Sequence, residues 1–112
     1  MNELVSSVGF TDFMNKNCEI SEYFQFSKKI KCKSGLEMSV QASEGHYCTP
    51  RKNAPKHIGY NYYTHFEIGF PNIVVEKLIP YAECDKDLTE TVYPYTPKEL
   101  IQEIISDNGG LE

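Results

Sequence analysis

Leu36, Met38, Val40 and Ala42 alternate with Glu37, Ser39, Gln41 and Ser43. A period of two puts successive side chains on opposite faces of a strand, so this stretch is a strand with one apolar and one polar face. Upstream, Glu22–Cys32 is rich in aromatics and free of Pro and Gly, and also reads as a strand. Phe24, Phe26, Lys28, Ile30 and Cys32 share one parity there, which Lys28 interrupts. Lys33-Ser34-Gly35 between the two is a turn, with Gly35 free to take positive φ. Residues 22–43 therefore predict a β-hairpin.

A second alternating run follows. In Tyr62–Phe70, the residues Thr64, Phe66, Ile68 and Phe70 oppose Tyr63, His65 and Glu67, with a bulge or strand end at Gly69. The apolar set Leu36, Met38, Val40, Phe66, Ile68 and Phe70 is assigned to the core. Pro71-Asn72 breaks this strand, Ile73–Ile79 suits a short helix stopped by Pro80, although its β-branched run also permits a strand, and Thr91–Tyr95 reads as a short strand. The last element is the best specified. Thr96 is placed as N-cap, Pro97 as N1 and Glu99 as N3 of a capping box, and Leu100, Ile101, Ile104 and Ile105 fall on one helical face. Asn108-Gly109-Gly110 supplies its stop.

Together these elements predict an α+β fold: a small, mainly antiparallel sheet of about four strands with a C-terminal helix packed on one face. Residues 22–110 form the single domain, residues 1–21 an N-terminal arm or edge segment, and Leu111-Glu112 resembles a cloning scar. At 112 residues the chain supports one modest core, supplied with eight Tyr and six Phe but no Trp.

Charge is uneven. Residues 1–56 carry eight Lys/Arg and six Asp/Glu, whereas residues 57–112 carry three and ten. A chain of net charge −5 lacks the basic footprint of a general nucleic-acid binder. Met1–Phe10 contains Asn, Glu, two Ser and a Gly, which does not fit a signal peptide, and no run has the apolar length of a membrane span. Four cysteines (Cys18, Cys32, Cys48 and Cys84), none in a Cys-x-x-Cys pair, then predict reduced thiols in the cytoplasm.

The connection Glu44–Asn61 is longer than ordinary loops and holds His46, Cys48 and Arg51. If residues 36–43 pair antiparallel with 62–70, Gln41 and Ser43 lie near His65 and Glu67 on the face opposite the core. That constellation has two readings. Cys48, His46, His65 and Glu67 contain the groups of an activated thiolate, the basis of an enzyme or ligand-binding alternative. The plainer reading is a polar sheet face with Cys48 as a small buried plug. Zinc ligation by His46 and Cys48 with His57, His65 or Cys84 has suitable atoms but matches no standard spacing, so no metal and no cofactor is assigned. Lys28, Lys29, Lys31 and Lys33 read as a solvated edge strand, with an anionic partner as the functional variant. Glu83, Asp85, Asp87 and Glu90 read as a solvated loop that lacks the glycine and distal Glu of a calcium site. Tyr47, Tyr60, Tyr62, Tyr63, Tyr81, Tyr93 and Tyr95 divide between core padding and a contact surface, where Tyr and Arg are enriched.

Three strings carry a resemblance: Met38–Ser43 with His46-Tyr-Cys-x-Pro-Arg51, Tyr63-Thr-His-Phe-Glu-Ile-Gly-Phe-Pro71, and Thr89-x-Thr-Val-Tyr-x-Tyr-x-Pro97 running on to Gly109-Gly110. Over roughly residues 36–110 the chain resembles a family of short proteins from tailed bacteriophages and prophages that has no assigned activity. The resemblance implies a phage origin and action inside a bacterial cell. By context it implies a non-enzymatic protein that binds a host bacterial protein, as an anti-defence or anti-CRISPR-like inhibitor does. Gln41, His46, Tyr47, Arg51, Tyr62, His65 and Glu67 are the candidate contact residues, and exposed strand edges with tyrosines are compatible with a homodimer.

Overall fold

The computed structural model describes residues 10–20 and 25–112. Six strands are present among them: β1 (Cys18–Ile20), β2 (Gln25–Ser27), β3 (Ile30–Lys31), β4 (Glu37–Gln41), β5 (His65–Gly69) and β6 (Val92–Pro97). The last four form one antiparallel sheet in the order β3-β4-β5-β6, and β1 and β2 form a separate two-stranded ribbon. Residues 10–16 are helical (α1), and Lys98–Asp107 forms the C-terminal helix (α2). This is the α+β architecture the sequence patterning implies.

The alternation in β4 is realised: Leu36, Met38 and Val40 are fully buried. From β5 the sheet adds Phe66 and Ile68, and α2 lays Ile101, Ile104 and Ile105 over the same core. Each such aliphatic side chain contributes about 2 kcal/mol on burial, so α2 is a large share of the stability.

Several expectations give way. The 22–43 stretch is not one hairpin. Phe26 is exposed while Gln25 and Ser27 are buried, because β2 leaves the sheet, pairs with β1 and inverts its phase. The part of the expected strand over residues 22–24 lies outside the described residues. Phe70 is exposed rather than core: it sits just past β5 with φ 50, where the strand has turned away. Ile73–Ile79 does not form an α-helix. A 3₁₀ turn runs from Glu76 to Tyr81 with Pro80 inside it, and Ile73 and Val74 stay exposed ahead of it. The capping box does not form either. Thr96 remains in β6, buried, with its hydroxyl donating to Tyr93 O at 2.9 Å, and Pro97 is the N-cap without a side-chain bond. Strand pairing of Phe66 with Thr96 holds that residue extended, and this overrides the local capping preference.

Of the expected N-terminal segment, residues 1–9 and 21 lie outside the described residues; its described part, and the last two residues of the chain, pack on the domain. Phe10 and Met14, one helical turn apart on α1, are fully buried, and Phe10 meets Phe66 edge-on at 5.2 Å between ring centroids. Leu111 bridges to Cys32, and Glu112 N donates to Lys31 O at 2.8 Å, so the terminal residues cover the β3 edge of the sheet.

Two glutamines join the ribbon to the sheet. Gln41 Nε2 donates to Ser27 O at 2.7 Å, and Ser27 N donates to Gln41 Oε1 at 2.8 Å. Gln25 Nε2 donates to Ala42 O at 2.8 Å and to Tyr63 Oη at 3.2 Å, and Tyr63 Oη in turn donates to Lys52 O. Thus β2, the end of β4 and the 44–61 loop are held by one buried polar chain.

Candidate functional site

The long loop after β4 does not wander. Thr49 pairs with the start of β5: Thr49 N donates to His65 O, and Thr64 N donates to Thr49 O at 2.9 Å. Two residues earlier, Tyr47 N donates to Glu67 Oε1 at 3.0 Å. The loop is therefore stitched along β5 by its backbone, which presents the side chains near it in defined positions.

The β5–β6 ladder contains a bulge at the same level. Phe66 faces Thr96 and Ile68 faces Tyr93, so two steps on β5 match three on β6. The surplus falls at Pro94 and Tyr95, opposite Glu67. Pro94 has no N–H to give the ladder, which suits an interruption there. Tyr95 takes φ 53, a left-handed conformation that is uncommon for a bulky residue. Its N–H, released from the ladder, donates to Tyr47 O at 3.1 Å.

The bulge and the loop together build an exposed aromatic and cationic cluster. Tyr47 and Tyr95 are 41% and 45% exposed, with ring centroids 6.0 Å apart. The Arg51 guanidinium lies over the Tyr47 ring, 4.9 Å from its centroid, and Arg51 Nε donates to Glu44 O at 3.3 Å. Such stacking is worth about 0.5–1 kcal/mol at an exposed site, enough to orient a long side chain.

His46 lies beside this cluster in a network of its own. Gly45 N donates to Ser43 Oγ at 3.0 Å, and Ser43 Oγ shares a 2.6 Å hydrogen bond with His46 Nδ1. Ser43 Oγ has two lone pairs, so it can accept from Gly45 N and still either donate to or accept from Nδ1, according to the His46 tautomer. Burial lowers the His46 pKa below its ordinary value, with Glu67 opposing and Arg51 reinforcing that shift.

The remaining candidates separate. Gln41 is 4% exposed and its amide is committed to Ser27, so it is not on an open polar face, because β2 covers that end of the sheet. Tyr62 is half-buried, its ring edge-on to Tyr63 at 5.3 Å, and belongs to the 3₁₀ turn Gly59–Tyr62 rather than to a strand. His65 is half-buried and bonds the neighbouring Thr64 hydroxyl at 2.9 Å through Nδ1. Cys48 is 2% exposed, and its thiol donates to the carbonyls of Ser43 and Pro50. Burial is the main influence on that thiol and pushes its pKa up, as it does for Cys32. His46 and Cys48 thus bond different atoms of Ser43, its hydroxyl and its carbonyl, and not each other, an arrangement that does not activate a thiolate. Among the described residues, no group of three or more His, Cys, Asp or Glu could hold a metal ion.

Tyr95 is the site residue that strand periodicity missed. Its signal was the Tyr93-Pro94-Tyr95 spacing, since a proline within a strand marks a bulge or an edge.

The chain matches no protein-family model, no curated protein and no solved structure. No helix among the described residues is long and apolar enough to cross a membrane. The binding part of the functional reading therefore rests on the geometry of this cluster.

Proposed function

We propose that the chain is a small phage-encoded protein that binds a protein of the bacterial host, in the host cytoplasm, and modulates or inhibits it as an anti-defence inhibitor of the anti-CRISPR kind. Binding rather than catalysis is its role. The observation that carries the binding reading is Tyr95: a bulky aromatic kept in a left-handed conformation, half-exposed, beside Tyr47 and the stacked Arg51. Backbone strain of this kind persists where the surroundings impose it and clusters at functional sites. Tyr and Arg presented on a rigid base are the residues that dominate protein interfaces. Glu67, bonded to Tyr47 N, and His46 complete the polar margin. The phage origin and the host target rest on the resemblance of residues 36–110.

Affinity capture from a lysate of the bacterial host tests this. The wild-type protein is expected to retain a defined partner, and Arg51→Glu and Tyr47→Ala each to weaken that interaction by about 30-fold, the loss typical of a hot-spot residue. Both side chains are exposed, so the variants should keep the wild-type melting temperature. Retention of nothing, or of the same proteins by all three, overturns the reading. A second copy of the chain as the occupant would appear as a concentration-dependent mass in solution.

A further inference from the structure

Three apolar side chains stand half-exposed in the short segment just past β5: Phe70, Ile73 and Val74, at 49%, 48% and 51%. Single exposed apolar residues are ordinary, but a group of them in one place marks an interaction site. The segment is not a loose tip. Asn72 Oδ1 accepts from Glu37 N at 2.8 Å, Asn72 Nδ2 donates to Gly35 O at 2.9 Å, and Asn72 N donates to Glu37 O at 3.0 Å. Phe70 N donates to Thr91 O at 3.1 Å, and Pro71 and Leu78 are buried on either side of Ile73 and Val74. Phe70 also takes φ 50, a left-handed conformation uncommon for a bulky residue. Strain of this kind persists where the surroundings impose it, and here it leaves an aromatic ring half in solvent.

Thr91 links this patch to the acidic 83–90 loop. Its carbonyl accepts from Phe70 N, and its hydroxyl accepts from Cys84 N at 3.1 Å. Glu76 follows Val74 by two residues. Glu76, Glu83, Asp85, Asp87 and Glu90 are all exposed, and none forms an ion pair among the described residues. The lysines of this stretch offset little. Lys77 is already held by Glu103 at 2.9 Å and Asp107 at 2.7 Å, which leaves Lys86. On the β4 side, Glu37 stands opposite Lys31, so that pair is balanced. The patch is therefore apolar with an acidic margin.

We infer that the 70–74 patch is a docking surface for a basic amphipathic segment of a partner protein. The apolar residues of that segment lie on Phe70, Ile73 and Val74, and its Lys or Arg side chains meet Glu76, Glu83 and Glu90. An anionic lipid surface would meet like charge at this margin. A second copy docked on the same patch about a two-fold axis would set its own carboxylates against these. The fixed backbone limits the entropy lost on binding. This surface does not depend on the Tyr47–Tyr95 cluster.

The test titrates the full chain with a synthetic Leu/Lys peptide two heptads long, followed by amide chemical shifts. A Leu/Glu peptide of the same pattern and anionic phospholipid vesicles form the other arms. Saturable shifts over residues 70–76 and 83–90 are expected with the Leu/Lys peptide alone. Raising NaCl from about 50 mM to about 200 mM should weaken the binding, since exposed charge pairs are screened. Ile73→Ser with Val74→Ser should bind about tenfold more weakly at an unchanged melting temperature, as both side chains are exposed. Glu83→Gln with Glu90→Gln should also weaken binding and flatten its salt dependence. Tyr47→Ala should bind the peptide as the wild type does, which separates failure here from failure of the host-protein reading. Absence of saturable shifts with the Leu/Lys peptide, equal affinity for the Leu/Glu peptide, or unchanged affinity in both double variants overturns the inference. Vesicle binding through the patch overturns it in favour of a membrane, and concentration-dependent shifts of the patch without peptide overturn it in favour of a second copy.

Discussion

The Gln41 carboxamide is paired with the backbone of Ser27 as if it were a residue of a neighbouring strand, accepting from Ser27 N at 2.8 Å and donating to Ser27 O at 2.7 Å. A side-chain amide carries the same donor and acceptor as a peptide, so it continues the ladder where β4 and β2 are not in register to do so. Ser39 Oγ accepts a further bond from Gln41 Nε2 at 3.0 Å and holds the amide in this orientation. Gln41→Leu should therefore cost about 2–4 kcal/mol, since it removes two bonds and leaves two buried backbone groups unsatisfied. Urea unfolding measures the loss, and amide exchange should show Ser27 losing protection ahead of β4 and β5.

Tyr95 offers a separation of stability from function. Relief of a left-handed conformation contributes about 1–2 kcal/mol, and glycine gives back about 0.4–1 kcal/mol through the freedom of the unfolded chain. Tyr95→Gly should match or exceed wild-type stability, whereas Tyr95→Ala keeps the strain and falls below it. Both remove the ring beside Tyr47 and should lose the captured partner. Full binding by Tyr95→Gly would show that the ring is not a contact.

His46 sets a pH dependence. Its folded pKa is lowered, chiefly by burial, relative to about 6.5 in the unfolded chain. The neutral form is thus the one the fold favours, and the contribution is fully present above pH 6.5. As pH falls below that value the unfolded state takes up a proton first, and stability declines until the folded pKa is passed. Urea midpoints between pH 7.5 and pH 5 should fall in wild type and fall less in His46→Asn, since the asparagine does not titrate.

The cysteines should react in order of access. Cys84 is exposed and Cys18 half-buried, whereas Cys32 and Cys48 are buried with their thiols pushed up in pKa. Alkylation at pH 8 should modify Cys84 first, and Cys32 and Cys48 only upon unfolding. Rapid selective modification of Cys48 in the native protein would revive the thiolate alternative.

Much of the architecture is legible along the chain because it depends on period alone. The alternation of Leu36, Met38 and Val40 and the helical spacing of Ile101, Ile104 and Ile105 require only that one face meet a core. These patterns hold in whatever order the strands assemble. Other features depend on neighbours distant in sequence. Whether Thr96 caps a helix or extends a strand is decided by its pairing with Phe66, and whether Gln41 faces solvent is decided by Ser27. The loop histidine, tyrosine and arginine were visible as residue types, but their arrangement was not, because Glu67 and His65 fix the loop from β5 through Tyr47 and Thr49. Sequence by itself determined which faces are apolar and so the fold class. Only the tertiary structure decided which polar side chains remain available: hydrogen bonds to the distant Ser27 backbone consume Gln41, burial within its own loop consumes Cys48, and a bulge in β6 turns Tyr95 outward beside Tyr47 and Arg51.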